Sequence, residues 1–219
     1  MKSYQDIIRK IIYINPSILD APDRHGRSPL HCFLDGIRGY KAILEVDAIC
    51  EIVKILKTDQ NVDAVDHDGQ TALHILLTIL PLFNKESDEK SHNTISKLVR
   101  LLKSEKNVGF QNSDGETVLH LLARTIFLFP KTKGQLIKAI TILSTNTNVN
   151  ALDSDGVAPY CWILCAKSEC QEEMEKSLMA KLDVLFTKLI SDTALVQQQK
   201  GIEFIRWVKL ADKIIIKTA

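Results

Sequence analysis

Glycine and proline are scarce, nine and six in 219 residues, which excludes a collagen-like chain and argues against long disorder. Net charge is almost absent. Lys plus Arg number 28 against 27 Asp plus Glu, a formal +1, so no whole-molecule field exists to hold a polyanionic backbone, and sequence-wide DNA or RNA binding is excluded. Long apolar runs are missing too: the stretches at residues 75–83 and 126–129 fall short of the roughly 18 to 20 residues that cross a bilayer. No membrane span is predicted. Behind Met1, Arg9 and Lys10 interrupt the apolar pattern where a secretory signal would be continuous, so none is predicted. The five cysteines (Cys32, Cys50, Cys161, Cys165, Cys170) are odd in number and irregularly spaced. That argues against a disulfide framework and for a reducing, cytoplasmic compartment. What is present is apolar residues, 45% of the chain and spread throughout, enough for a substantial core.

Those residues are organised by an internal repeat. DRHGRSPLHCFL at Asp23, DHDGQTALHILL at Asp66, NSDGETVLHLLA at Asn112 and DSDGVAPYCWIL at Asp153 align without a gap. The opening Asp or Asn can bond its own backbone two residues on, and the glycine tolerates positive φ, so a tight turn is predicted. Ser28, Thr71 and Thr117 follow, where a hydroxyl N-caps a helix. Upstream of each later turn runs a second amphipathic helix: Ile49, Ile52, Val53, Leu56; Ile95, Leu98, Val99, Leu102; Leu136, Ile137, Ile140, Leu143. These follow the i, i+3, i+4, i+7 rule. Short links, NVDAVD at Asn61, NVGFQN at Asn107 and NVNALD at Asn148, are expected to be hairpins leading into the next turn.

SPLH (Ser28 to His31), TALH (Thr71 to His74) and TVLH (Thr117 to His120), with their turns and links, resemble the ankyrin repeat and its Thr-Pro-Leu-His core. The resemblance implies an all-α ankyrin-repeat solenoid of stacked helix-turn-helix units. The units are longer than the family's roughly 33 residues, which puts extra segments between the paired helices. The expected division is residues 1–22 as an N-terminal capping helix, 23–170 as the array, and 171–219 as a C-terminal helical cap. The fourth unit has Ala158, Pro159, Tyr160 and Cys161 in place of the motif and is degenerate. Lys exceeds Arg 21 to 7, and Ile exceeds Ala 25 to 14. With the irregular repeats, this resembles ankyrin proteins of intracellular bacteria such as Legionella and of poxviruses. An effector acting in the host cytoplasm is therefore one expectation.

No catalytic constellation stands out. His31, His74 and His120 recur once per unit, but helices packed about 8 to 10 Å apart cannot share a metal whose bonds to nitrogen are about 2 Å. A structural role is expected and no metal or cofactor is predicted. Cys161 and Cys165 share a helix face near Cys170, but three thiols without a nearby histidine make neither a closed zinc site nor an activated nucleophile. No phosphate-binding glycine loop, paired-histidine metal helix or Gly-x-Ser-x-Gly elbow occurs. The expectation is a non-catalytic scaffold that binds another protein.

Two surfaces are candidates for that role. The turn tips carry Arg24, His25 and Arg27 in the first unit, then Asp66, His67, Asp68 and Gln70, then Ser113, Asp114 and Glu116, and finally Asp153 and Asp155. They form a ribbon grading from basic to acidic, suited to a partner of complementary basic character. The aromatics Phe83, Phe127 and Phe129 lie in the inserts, where they either enlarge the core or form a patch. A third and remote reading is a cysteine-dependent enzyme around Cys161 and Cys165, and the main alternative is an assembly module. It would use the apolar run at residues 202–216, from Ile202 to Ile216, for weak self-association.

Overall fold

The computed structural model describes residues 4–39, 46–80, 89–128 and 133–167, with Ala180 and Val184. Among them the chain is helical: α1 (Tyr4–Ile14), α2 (Pro29–Gly39), α3 (Val46–Leu56), α4 (Ala72–Ile79), α5 (Glu89–Leu102), α6 (Val118–Leu128), α7 (Lys133–Leu143), α8 (Asn146–Val149) and α9 (Pro159–Lys167). Two 3-10 turns, Pro16–Leu19 and Asn107–Gly109, complete the set. The described residues form no strand, only an isolated bridge between Val65 and Thr71. None of their helices is long and apolar enough to cross a membrane. The apolar run at 202–216, and all of 171–219 except Ala180 and Val184, lie outside the described residues.

The chain divides into two compact units, Met1–Ser113 and Asp114–Ala219. In the first, equivalent helices of successive repeats lie side by side, α2 against α4 and α3 against α5, while α1 packs on α3. Each repeat also closes on itself, α2 on α3 and α4 on α5. The periodic apolar residues fill the space between: Leu30, Leu34, Ile49, Val53, Leu73, Leu76, Leu77, Leu98 and Leu102 have no exposed surface. Each such side chain removed from water contributes about 1.5 to 3 kcal/mol. In the second unit α6 packs on α7 and α9, burying Leu119, Leu122, Ile140, Leu143 and Ile163.

The turns before α2, α4 and α9 are built alike. Asp66 N–H donates to Gln70 O (3.0 Å) and Gly69 N–H to Asp66 O (3.0 Å), while Asp66 Oδ1 accepts the N–H of Asp68 and of Gln70. Asp23 and Asp153 make the same set. The glycine closing each turn has φ between 71° and 78° in all four repeats, where an L side chain is strained. At Gly115 there is a second reason: a Cβ would come within 2.8 Å of Ser154 N.

The links differ from the expected hairpins. Thr58, Ser104 and Thr145 each stand three residues before Asn61, Asn107 and Asn148, and the pairs cap one another. Each hydroxyl accepts the asparagine N–H, and each asparagine Oδ1 accepts the Thr or Ser N–H. This reciprocal box satisfies two orphan donors at a helix start. It folds Asn107–Gly109 as a 3-10 turn and Asn146–Val149 as α8.

Candidate functional site

Three groups of polar residues recur once per repeat, two buried and one exposed. The first buried group is the motif histidines. His31, His74 and His120 have no exposed surface, and each ring sits over the start of its own helix. Ser28, Thr71 and Thr117 donate their backbone N–H to Nδ1 at 3.3, 3.3 and 3.1 Å, with their hydroxyl oxygens 2.7 to 2.9 Å from the same nitrogen. At Thr71 the hydroxyl also accepts the His74 N–H, giving a capping box with histidine in the usual Glu or Gln position. On the far side of the ring, His31 Nε2 reaches Gln70 O (3.1 Å) and His120 Nε2 reaches Val157 O (3.0 Å), each in the following turn. Burial pushes the His31 pKa down. The Gln70 carbonyl and the Asp66 charge oppose this, and Arg27 adds to it.

The second buried group lies beyond the reach of the motif. Asn61, Asn107 and Asn148 are at most 1% exposed. The Asn61 amide donates to Leu56 O and to Leu19 O, both at 2.9 Å, joining α3 to the chain ahead of the first turn. Asn107 repeats this with Leu102 O (2.7 Å) and Val62 O (3.0 Å), and Asn148 donates to Leu143 O (2.8 Å). The hydroxyls of Thr58 and Ser104 bond Asp20 and Asp63 of the preceding link. The signal was present: each asparagine stands eight residues before its repeat's glycine.

The exposed group is the tips. Arg24, His25, His67, Asp68, Ser113, Asp114 and Asp155 face solvent. Their backbones are tied together within each unit: His67 N–H donates to His25 O (2.9 Å) and Ser113 N–H to Asp68 O (2.8 Å) in the first, and Ser154 N–H to Asp114 O (2.9 Å) in the second. The ties join neighbouring turns within each unit. Asp66 and Gln70 are half-buried, and Asp66 spends a carboxylate oxygen on the turn itself.

Two expected tip residues are corrected. Glu116 is 5% exposed, and its carboxylate accepts the Arg124 guanidinium at 2.5 Å. Pairing is what allows that charge to be buried, so Glu116 is no surface carboxylate. Arg27 is half-buried and holds Asp23 (2.8 Å) and Asp35 (3.3 Å). Its charge is neutralised within its own repeat. The two pairs use the same register positions with opposite sign. Arg27 and Glu116 each follow the glycine by one residue, and Asp35 and Arg124 follow it by nine. In the second repeat these positions hold neutral Gln70 and Thr78, and Arg38 of the first repeat donates to the Thr78 hydroxyl.

Phe127 lies on α6, with nothing described of its side chain, while Phe83 and Phe129 fall outside the described residues. Cys161 is fully buried on α9, which also carries Cys165, and Cys170 falls outside. Cys32 is exposed, its Sγ 3.7 Å from Asp23 Oδ2, and partial burial pushes its thiol up. Low-pKa thiols mark reactive cysteines, so Cys32 has the opposite character. Among the described residues no group of three or more His, Cys, Asp or Glu could hold a metal ion.

No protein-family model matches the chain. A search of curated proteins finds no match either.

Proposed function

We propose that this chain is an ankyrin-type repeat protein with lengthened repeats, and that it binds a protein partner without catalysis. The exposed turn tips are its contact residues. The observations that carry this reading are the exposed His67, Asp68 and Ser113 in the first unit and Asp114, Ser154 and Asp155 in the second, on turns tied backbone to backbone within each unit. Rigid presentation lowers the ordering cost of binding, and side chains not spent on internal pairs are the ones free to select a partner. Asp68 and Asp155, exposed at their tips, favour a basic partner. His31, His120, Asn61 and Asn107 support the ankyrin-type reading because each binds the chain of a neighbouring repeat, as a stacked repeat requires. The effector form of this proposal draws only on the Lys- and Ile-rich composition.

The test is affinity capture with the full chain and with a variant carrying Asp68→Lys, Asp114→Lys and Asp155→Lys, both confirmed helical by circular dichroism. The expected result is a stoichiometric partner retained by the native protein and lost by the variant. Equal recovery by both removes the tips as contact residues.

A further inference from the structure

Helix α1 carries the apolar stripe of a repeat's second helix, but the stripe faces outward. Ile7, Ile11 and Ile14 keep the i, i+4, i+7 spacing of Ile49, Val53 and Leu56 on α3, of Ile95, Val99 and Leu102 on α5, and of Leu136, Ile140 and Leu143 on α7. On those three helices each residue of the stripe is at most 9% exposed, and the first helix of the same repeat packs on the second: α2 on α3, α4 on α5, α6 on α7. On α1 the same positions are 47 to 81% exposed. α1 packs on α3 and on the 3-10 turn that follows it, with Ile8 and Ile12 half-buried and the stripe left outside. The exposed residues continue past the helix. Eight residues before Gly26, where later repeats have Asn61, Asn107 and Asn148, stands Ile18, and it too is exposed. A helix that closes a stack of repeats turns a polar side outward. α1 turns out an apolar side, the kind that marks contact with another molecule.

We propose that this stripe, a surface distinct from the turn tips, is where two copies of the chain associate: α1 of a second copy lies antiparallel on it, each helix covering the other as first helices cover α3 and α5. The stripe calls for an amphipathic helix with apolar residues at the same spacing, and α1 is itself such a helix. The charges set its direction. Lys10 stands three residues after Ile7 and four before Ile14, along one edge of the stripe, and Asp6 precedes it by one turn on that edge. Both are exposed. An antiparallel two-fold pairing brings this edge against itself with the order of charge reversed, so Asp6 of each copy faces Lys10 of the other. A parallel pair would hold the two edges apart. Because the contact is isologous, it closes at two copies. Removing the isoleucines from water drives association, while the exposed charges add direction more than strength.

The experiment is sedimentation equilibrium of the full chain from about 10 μM to about 1 mM, the range suited to a small, transient interface. The mass is expected to rise from one copy towards two and to stop there. Ile11→Asp with Ile14→Asp, confirmed helical by circular dichroism, is expected to weaken association by about tenfold or more. Asp6→Lys and Lys10→Asp each weaken it when tested alone. An equimolar mixture of these two single variants restores it, because the mixed pair regains two contacts of opposite sign. Should the isoleucine variant not fold, the charge variants decide. A mass that stays at one copy up to about 1 mM, association that survives both isoleucine changes, or a mixture no stronger than its separate components overturns the proposal. So does cosedimentation of a monomeric native chain with anionic lipid vesicles that is lost in the isoleucine variant, which would assign the stripe to a membrane surface.

Discussion

The first turn, residues 23–27, and the last, residues 153–157, have the same backbone and opposite electrostatics. Both Asp23 and Asp153 accept two main-chain N–H bonds through Oδ1 at 2.8 to 3.0 Å. Beside Asp23 the Arg27 side chain adds two charge-assisted bonds, and the carboxyl is held well below the usual range. Beside Asp153 stands Val157, and burial pushes the carboxyl up although the same two N–H groups pull it down. The turn geometry is therefore set by the Asp-x-x-Gly pattern, whereas the Arg27 side chain pulls the Asp23 carboxyl down and burial pushes the Asp153 carboxyl up. Arg27 spends its charge on this internal task and is lost to the outer surface.

The largest effect that breaks the comparison is removal of the link ahead of the turns. Asn61→Ala strips the donor from Leu19 O and Leu56 O and the acceptor from Thr58 N–H. With about 1 to 3 kcal/mol for each buried group left unsatisfied, a loss of about 3 kcal/mol or more is expected in urea unfolding. A loss below about 1 kcal/mol would show that the asparagine is replaceable by water.

Next come the glycines. Gly156→Ala meets nothing within 4 Å and suffers only the positive φ, about 1 to 2 kcal/mol. Gly26→Ala adds a contact at 2.8 Å with the His67 ring and 3.2 Å with His67 N, and is expected to cost about 1 kcal/mol more by the same measurement. Equal costs would mean that neighbouring turns do not constrain one another.

The smallest effect sharpens the electrostatic contrast. A depressed carboxyl such as Asp23 supports folding above about pH 3.9 and loses that support as the pH falls towards its folded value. A raised one such as Asp153 opposes folding while ionised, and that cost disappears as the pH falls through its folded value. At pH 7, Asp23→Asn is expected to lower the urea midpoint. Asp153→Asn leaves it level or raises it, since Asn112 already opens the corresponding turn of the third repeat. Carboxyl NMR titration of the native protein checks the two directions independently.

Much of this was legible in residue order. Helix periods, turn glycines and the capping role of Ser28, Thr71 and Thr117 follow from short-range rules, and the structure has helices where those rules put them. The links were misread because Asn-Val-Asp-Ala can be a solvated hairpin or a buried helical turn. The choice rests on whether Leu19 O and Val62 O, some 40 residues away, come within reach of the amide. Glu116 was misread for a similar reason: an acid beside a turn glycine is normally solvated, and its pairing with Arg124, two helix turns further on, makes burial tolerable.

By itself the sequence determined the helical period, the position of every turn and the recurrence of one histidine and one asparagine per repeat, because these depend on local sterics and on spacing along the chain. Only the tertiary structure decided which polar groups are spent inside and which remain outside. Desolvation depends on what else arrives at the same place, and for Asn61, Arg27 and Glu116 that arrival turned apparent surface residues into internal fastenings.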